Sequence, residues 1–435
     1  MRESGETCDV LVVGAGAAGL ATAIFAAGAA PGMRVRCVDG ARRIGAKILV
    51  SGGSRCNVTN RAVTERDFWG GAPRLVRNVL RAFPAERAAG FFRELGVALH
   101  EEEDGKLFPD SNTARTVLDA LLREAERRGV VIDSGCRITG MGRADEIFHA
   151  ERGAGDPIAA RTVVLATGGR SLPKSGSDGF GYALAERFGH RCVPTTPALA
   201  PLVLRGQTHR ALAGVAHPAA LALRVSGIQI IRLEGPLLWT HFGVSGPLAL
   251  DLSRHWHRAQ LDQTAVPDGA AEPAPPASIE VLLSVLPGDT FESIERWLID
   301  ETQARPRAQL STVMSQRLPH AIADTWLEAA GVDRGTTMAH FARDARRQLV
   351  RALLETPLDV DDSRGYGYAE VTAGGIALEE IDTATMESRL QPGLFLAGEI
   401  LDVDGRLGGF NFQWAWSSGW VAGHAAARAC VGSRS

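Results

Sequence analysis

The stretch from Asp9 to Asp39, DVLVVGAGAAGLATAIFAAGAAPGMRVRCVD, constrains the fold more than any other part of the chain. Its apolar run Val10 to Val13 suits a strand buried on both faces. A glycine turn follows, then an alanine-rich helix, then a second strand that stops on an acid. Gly14, Gly16 and Gly19 hold the three positions of the dinucleotide pattern. The first permits a tight strand-to-helix turn, the second lets backbone amides approach a diphosphate, and the third lets the helix pack close to the sheet. The phosphates are expected on the helix N-terminus, where unpaired N–H groups and the dipole favour negative charge. Asp39 lies twenty positions after Gly19, where a carboxylate accepts ribose hydroxyls and argues against a 2′-phosphate. A glycine turn with a structural role alone is the competing reading, and strand, helix and acid together weigh against it. A signal peptide or membrane span is disfavoured by the three glycines, by Asp9 and by the charged segment that follows, because a span needs about twenty uninterrupted apolar residues.

The 435 residues are 45% hydrophobic and 22% charged with a net charge of −3, which describes a soluble globular protein of two or three domains. The arginines are scattered and form no patch, so neither nucleic acid nor a membrane surface is an expected partner. Cys8, Cys37, Cys56, Cys136, Cys192 and Cys430 contain no CxxC pair. That excludes a dithiol flavoenzyme design and an ordinary zinc motif, leaves no expected metal site, and fits a reducing cytoplasm.

Along the chain, Ser51 to Asn57 (SGGSRCN) offers small side chains, backbone amides and one cation, as a loop lying flat against a ligand would; an ordinary surface loop is the alternative. Residues Pro84 to Leu99 read as an amphipathic helix, and Asn112 or Thr113 as the cap of a helix carrying Val117, Leu118, Leu121 and Leu122. Val130 to Ile138 and Thr162 to Ala166 read as strands, the second ending in Thr167-Gly168-Gly169. Strands alternating with helices call for a mainly parallel sheet, whose ligands sit at strand C-terminal ends. From Pro194 the pattern changes to short strands near Leu199–Leu204, Leu221–Val225, Ile228–Leu233 and Ile279–Leu283, with a Pro/Ala-rich mobile loop expected at Thr264 to Ser278. Asp289 to Leu354 is mostly helical. GVSGP at Gly243 to Pro247 lacks the second glycine of a nucleophile elbow and reads as strand, Ser245 as N-cap, and Pro247 in the first helical turn. The expected segments are 1–193, 194–288, 289–355, a return over 356–367, and 368–435.

The last segment returns to strand, glycine and helix chemistry: Val371 to Gly375, Leu394 to Ala397, Gly398-Glu399, and a long helix starting near Gly409, Phe410 and Asn411. A nicotinamide nucleotide would be accommodated within one contiguous half. A ligand engaged by both chain ends must be longer, with AMP at one end, a ribityl chain accepted by Glu399, and a flat ring facing the helix start. FAD has that length and chemistry.

At these residues the sequence resembles the bacterial HI0933-like flavoproteins, the BaiN-type NAD(P)/FAD-dependent oxidoreductases. GAGAAGL, KILVSGGSRCNVTN, LATGGRSLPKSGSDGFGYALAERFGH, THFGVSGPLAL, VTAGG and TMESRLQPGLFLAGEILDVDGRLGGFNFQWAWSSG carry the likeness, in order. Ser54 stands where that family usually has glycine. The resemblance implies an α/β protein with a doubly wound Rossmann-type FAD domain built from both chain ends, and an inserted β-barrel-like subdomain and helical subdomain. It places FAD contacts on Gly14, Gly16, Ala18, Gly19, Asp39, Lys47, Gly53, Arg55, Cys56, Asn57, Thr167, Gly168, Gly398, Glu399 and Asn411, with the Ile138 backbone at the adenine. A more distant similarity to fumarate-reductase-like flavoproteins puts Thr372, Gly374 and Gly375 beside the ring.

The expected activity is hydride transfer between flavin N5 and a small unsaturated or keto substrate stacked between the FAD domain and the insert, with NAD(P)H or a redox partner protein as electron donor. Arg55 and His241 are the candidate catalytic residues, His241 for proton transfer and Arg55 chiefly as an anchor. Cys56 reads as small-residue packing. The alternative is a flavin-binding redox sensor, or a protein that assists a partner without turnover.

Overall fold

A computed structural model describes residues 6–30, 32–264 and 278–432. The expected loop at Thr264 to Ser278 falls almost wholly on residues 265–277, outside the described residues. The chain forms two compact units, Met1–Thr196 with Glu370–Ser435, and Pro197–Ala369.

The first unit is organised by a sheet whose central strands are parallel. β1 (Glu6–Val13) runs between β2 (Val35–Asp39) and the strand Ile158–Leu165, in register through Val12↔Cys37 and Leu11↔Val163. Val131–Ser134 extends the sheet beyond β2, and Leu394–Leu396, from the far end of the chain, adds parallel to Ile158–Leu165. Both chain ends therefore share one ladder. Val10, Leu11, Val12, Val163, Val164 and Leu165 are all buried, as expected of strands covered on both faces. The segment read as one strand, Val130 to Ile138, is two: Val131–Ser134 and Ile138–Ala144, separated at Gly135, whose φ of 73° no extended strand accommodates. The helix read over Pro84 to Leu99 spans Ala85–Glu94, stopped by Gly96 at φ 81°. Thr113, not Asn112, caps Ala114–Arg127 through the Arg115 amide.

α1 (Ala17–Ala29) packs along the C-terminal helix Phe410–Gly432 through small residues. A Cβ at Gly423 would lie 2.5 Å from the Thr22 carbonyl oxygen, and one at Gly419 2.9 Å from that of Ala18. Such backbone approach is open only to glycine.

The second unit carries an antiparallel sheet in the order Thr356–Leu358, Ile279–Ser284, Ala216–Val225, Ile228–Thr240, Gly243–Ser245, Leu202–Leu204, Val360–Ser363. Its two end strands are separated by the single residue Asp359, so the sheet curls enough to bring the end of one edge strand beside the start of the other. The expected division into a β-rich and a helical subdomain does not describe this unit: Leu221, Trp239 and Leu283 of the sheet and Ile294, Ile322 and Leu349 of the helices share one core. Sheet and helices therefore bury their apolar faces against each other. Ser245 ends a strand and the next helix, Gly246–Thr264, carries Pro247 in its first turn.

Candidate cofactor site

The turn after β1 is built as its spacing demands. Gly14 has φ 104°, and a Cβ there would meet the Ala166 carbonyl oxygen at 2.4 Å; one at Gly19 would lie 1.7 Å from the Gly14 carbonyl oxygen. At Gly16 a Cβ would have nothing within 4 Å, so that glycine faces open space. The Leu20 amide opens the helical ladder on the Gly16 carbonyl at 2.9 Å, and neither a side-chain cap nor an acid sits in the first turn of α1. The N–H groups ahead of Leu20 form the cradle that suits a diphosphate. Asp39 braces the turn, accepting from the Ala15 amide on Oδ2 and the Ala41 amide on Oδ1, both at 2.7 Å. Arg137, next to Ile138, lies 3.2 Å from where a Gly40 Cβ would stand, which sets the start of that strand beside the end of β2.

A second cluster joins four distant segments. Glu399 Oε2 accepts from Lys47 Nζ at 2.8 Å, while its Oε1 accepts from Ser171 Oγ at 2.8 Å and from the Thr372 amide at 3.0 Å. Thr372 Oγ1 in turn accepts from the Arg170 and Ser171 amides. Lys47 stands in the first turn of α2 (Ala46–Ser54). A Cβ at Gly169 would press on Thr372 Oγ1 at 2.4 Å, and one at Gly168, φ 73°, on Ser177 Oγ at 2.7 Å. Gly398, φ 78°, packs on Ala18, and its amide and carbonyl are held by Ser418 and Trp414 of the C-terminal helix. Gly374 and Gly375 give room to the backbones of Pro194 and Ile400.

The third part is the end of α2. Gly52, Gly53 and Ser54 are all left-handed (φ 54°, 68° and 68°), and so is Cys56 at 63°. Ser54, where the resembled family has glycine, thus adopts a conformation that glycine takes without cost. Cys56 is fully buried and burial pushes its thiol up to about 12, so it packs and does not react. A Cβ at Gly409 would lie 2.6 Å from the Thr59 carbonyl and 2.8 Å from Asn57 Oδ1, which sets this loop against the start of the C-terminal helix. Asn411 does not offer its side chain outward: Oδ1 accepts from the Gly405 amide and Nδ2 donates to its carbonyl, each at 2.8 Å, while Phe410 is buried.

One buried atom speaks for a ligand. Asn57 Oδ1 has no hydrogen-bond partner among the described residues, although buried polar atoms are nearly always paired. With the open direction at Gly16, it leaves a polar valence and space that suit an extended adenine–flavin molecule. Thr167 Oγ1 also lacks a partner among the described residues, but it lies against Gly181, 1.8 Å from where a Cβ would stand there.

Arg55 is held by Glu102, Nη1 to Oε1 at 2.6 Å and Nη2 to Oε2 at 3.2 Å, and lies over Phe108 at 4.1 Å from the ring centroid. His241 belongs to the second unit, exposed on the turn between Ile228–Thr240 and Gly243–Ser245 and edge-on to Phe242 at 5.1 Å. Sequence reasoning missed Ser171 and Glu102. Ser171 follows the TGG turn by two positions and was legible as a polar group at a strand's end; Glu102 sits among three other acids with nothing to single it out. Among the described residues no acidic, histidine and cysteine cluster could hold a metal, and no helix is long and apolar enough to cross a membrane.

Residues 8–425 match the HI0933-like protein Rossmann domain family, and the chain belongs to it, among the flavoprotein oxidoreductases. It is 31% identical over 419 residues to the ribosomal RNA dihydrouridine synthase of Escherichia coli (strain K12), covering 96% of this chain and 97% of that protein. It is 32% identical over 416 residues to the 3-dehydro-bile acid delta(4,6)-reductase of Clostridium scindens, covering 96% and 98%. Escherichia coli quinol fumarate reductase FrdA shares the fold at 18% identity with a TM-score of 0.50, over 98% of this chain and 71% of that one.

Proposed function

We propose that this protein is an FAD-dependent reductase that saturates a carbon–carbon double bond conjugated to a carbonyl group of a small molecule. The observation that carries this reading is that both relatives, each matched along 96% of the chain, are named for one chemistry. Dihydrouridine is uridine with a conjugated ring double bond saturated, and a 3-dehydro-delta(4,6) compound carries its double bonds beside a 3-oxo group. FAD, when bound, supplies the reversible two-electron chemistry. The chain's residues then bind and orient. The amides at the start of α1 hold the diphosphate, Asp39 the adenosine ribose, Lys47 and Glu399 the ribityl region, and Asn57 with the backbone at Gly409 the ring. Gly53, with nothing within 4 Å of where its Cβ would stand, leaves room there, while Gly168, Gly374 and Gly375 let the surrounding segments pack closely. Arg55 is the substrate anchor and His241 a candidate proton donor, with NAD(P)H or a partner protein as the source of electrons.

A second reading places the conjugated carbonyl in a uracil ring of ribosomal RNA, and it is favoured by the name of the Escherichia coli relative. Purified holoprotein, reduced anaerobically with NADH or NADPH, is mixed in parallel with a 3-oxo-4-ene steroid, with cyclohex-2-enone and with ribosomal RNA free of dihydrouridine. Gain of two hydrogens by the small molecules, seen by mass spectrometry, supports the first reading; gain by the RNA alone supports the second. A reduced flavin that transfers to none of them sinks both, and points to a flavoprotein without turnover of its own.

A further inference from the structure

We infer that Glu102 is a positioning residue that presets Arg55 as the anchor for the substrate's carbonyl oxygen, an inference that rests on the conjugated-carbonyl reading above. Arg55 follows three consecutive left-handed residues, and two positions later the orphaned Asn57 Oδ1 lies against Gly409 at the start of the C-terminal helix. Phe108, which lies under the guanidinium, and the Asn57 amide each stand 3.0 Å from where a Gly52 Cβ would be, so the Arg55 head group rests on the same loop assigned above to the flavin ring. Its two outer nitrogens are both committed to Glu102 and one face is covered by Phe108, yet the side chain keeps 38% of its surface exposed. A guanidinium has five N–H donors, so the bidentate pair leaves others for a ligand.

Behind Glu102 the arrangement continues. His100 Nε2 lies 3.3 Å from Glu102 Oε1, and His100 Nδ1 3.2 Å from Asp110 Oδ1. Arg55, and after it His100, hold the Glu102 carboxyl below the usual carboxylate range. Nearby, Arg61 pairs with Glu101 and Lys106 with Asp104. An arginine ordinarily loses much rotamer freedom on engaging a ligand. Here the carboxylate and the ring have already ordered it, so little of that cost falls on binding.

The reaction gives this placement its use. FAD, when bound and reduced, would supply a hydride with its two electrons to the β-carbon; the substrate's π pair would shift toward the carbonyl oxygen, and a proton drawn ultimately from solvent would complete the α-carbon of the saturated product. Negative charge develops on the oxygen, where a fixed cation stabilises it more than it stabilises the neutral ground state.

The test uses the FAD-loaded full chain as wild type, Glu102→Gln, Glu102→Asp and His100→Gln. p-Chlorophenolate, whose oxygen stands in for the developing enolate, is titrated into oxidised protein and followed by its long-wavelength charge-transfer band. Separately, photoreduced protein is reoxidised by cyclohex-2-enone and by ferricyanide, which needs no anchor. Glu102→Gln is expected to weaken phenolate binding and slow enone reduction by about tenfold each, the scale of one charge-assisted contact, with ferricyanide reoxidation unchanged. Glu102→Asp recovers part of both, and His100→Gln shows a smaller loss of the same kind. Wild-type protein that binds no phenolate, a Glu102→Gln protein that matches wild type with both probes, or equal slowing of enone and ferricyanide overturns the inference. Glu102-dependent phenolate binding without any enone turnover would keep the anchor and refute the reaction reading; enone turnover indifferent to Glu102 would do the reverse.

Discussion

Gly16 and Gly19 lie in one turn, but a methyl group would meet different things at each. At Gly19 it would meet the Gly14 carbonyl at 1.7 Å, so Gly19→Ala must break the turn. At Gly16 the backbone is extended and the direction is open, so Gly16→Ala meets no clash and costs the empty protein about 1 kcal/mol at most, the preference of an N-cap for glycine over alanine. The Gly16→Ala apoprotein is expected to melt within a few degrees of the wild type while FAD affinity drops about tenfold or more, since the methyl fills the diphosphate's approach. Gly19→Ala should lose both. Unchanged FAD affinity in Gly16→Ala, by fluorescence titration, would remove the diphosphate from α1. Ser54 gives a change of the opposite sign. Its left-handed backbone costs about 1–2 kcal/mol in an L-residue, and glycine's greater unfolded freedom returns about half of that. Ser54→Gly should therefore raise the urea midpoint slightly, and a lower midpoint would show that the Ser54 side chain is needed where it stands.

Packing of elements supplies the next prediction, and a helical glycine outside the crossing supplies its control. Gly423→Ala would drive a methyl against the Thr22 carbonyl at 2.5 Å and the Ala26 amide at 3.0 Å, so α1 and the C-terminal helix must part. Overpacking of this kind costs about 1–3 kcal/mol, which exceeds the gain of about 1 kcal/mol from helix propensity. Gly90, inside Ala85–Glu94, has nothing within 4 Å of its would-be Cβ. Gly90→Ala should stabilise by about 0.5–1 kcal/mol, because there propensity acts alone. Denaturant melts of the pair that moved in the same direction would contradict the close crossing. The turn of β1 and α1 was legible because its determinants lie within a few positions of one another. The helix limit at Glu94 was missed although Gly96 marks it, and the long hairpin Ala216–Val225 with Ile228–Thr240 was read short because Pro218, Gly235 and Pro236 interrupt its pattern. Within the candidate site, Glu399 and Lys47 were named separately, but their pairing spans 352 positions and Arg55's with Glu102 spans 47. No local pattern encodes such a contact; only the sheet order brings those segments together.

At the scale of the whole molecule there are two hydrophobic cores, one running through β1, α1 and the C-terminal helix, the other through the curled sheet and its helices. A chain with two cores need not unfold in a single step, and pH offers a way to move one transition alone. In the second unit burial lowers His257 to about 4 and His255 to about 3, against an ordinary value near 6.5. Asp362 draws His257 back only in part, and His257 Nε2 lies 2.7 Å from Ser363 Oγ. Between pH 6.5 and about 4 the unfolded chain binds a proton at His257 that the folded unit does not, so stability rises with pH across that window and falls on acidification through it. The loss from this one group is at most about 3.5 kcal/mol, at about 1.4 kcal/mol for each pH unit, and is complete near the folded value. His257→Gln keeps an amide for Ser363 and removes the titration. It should reduce the acid slope of one calorimetric transition between pH 6.5 and 4 by about 1.4 kcal/mol per pH unit, the part due to His255 remaining, and leave the slope of the other as in the wild type. Limited proteolysis identifies which unit opens first: the expected early cuts fall within residues 197–369 in wild type at pH 5 and become later in His257→Gln. If the two proteins show the same pH dependence in both transitions, His257 is not held neutral by burial, and the packing of Gly246–Thr264 against the sheet is looser than its surroundings indicate.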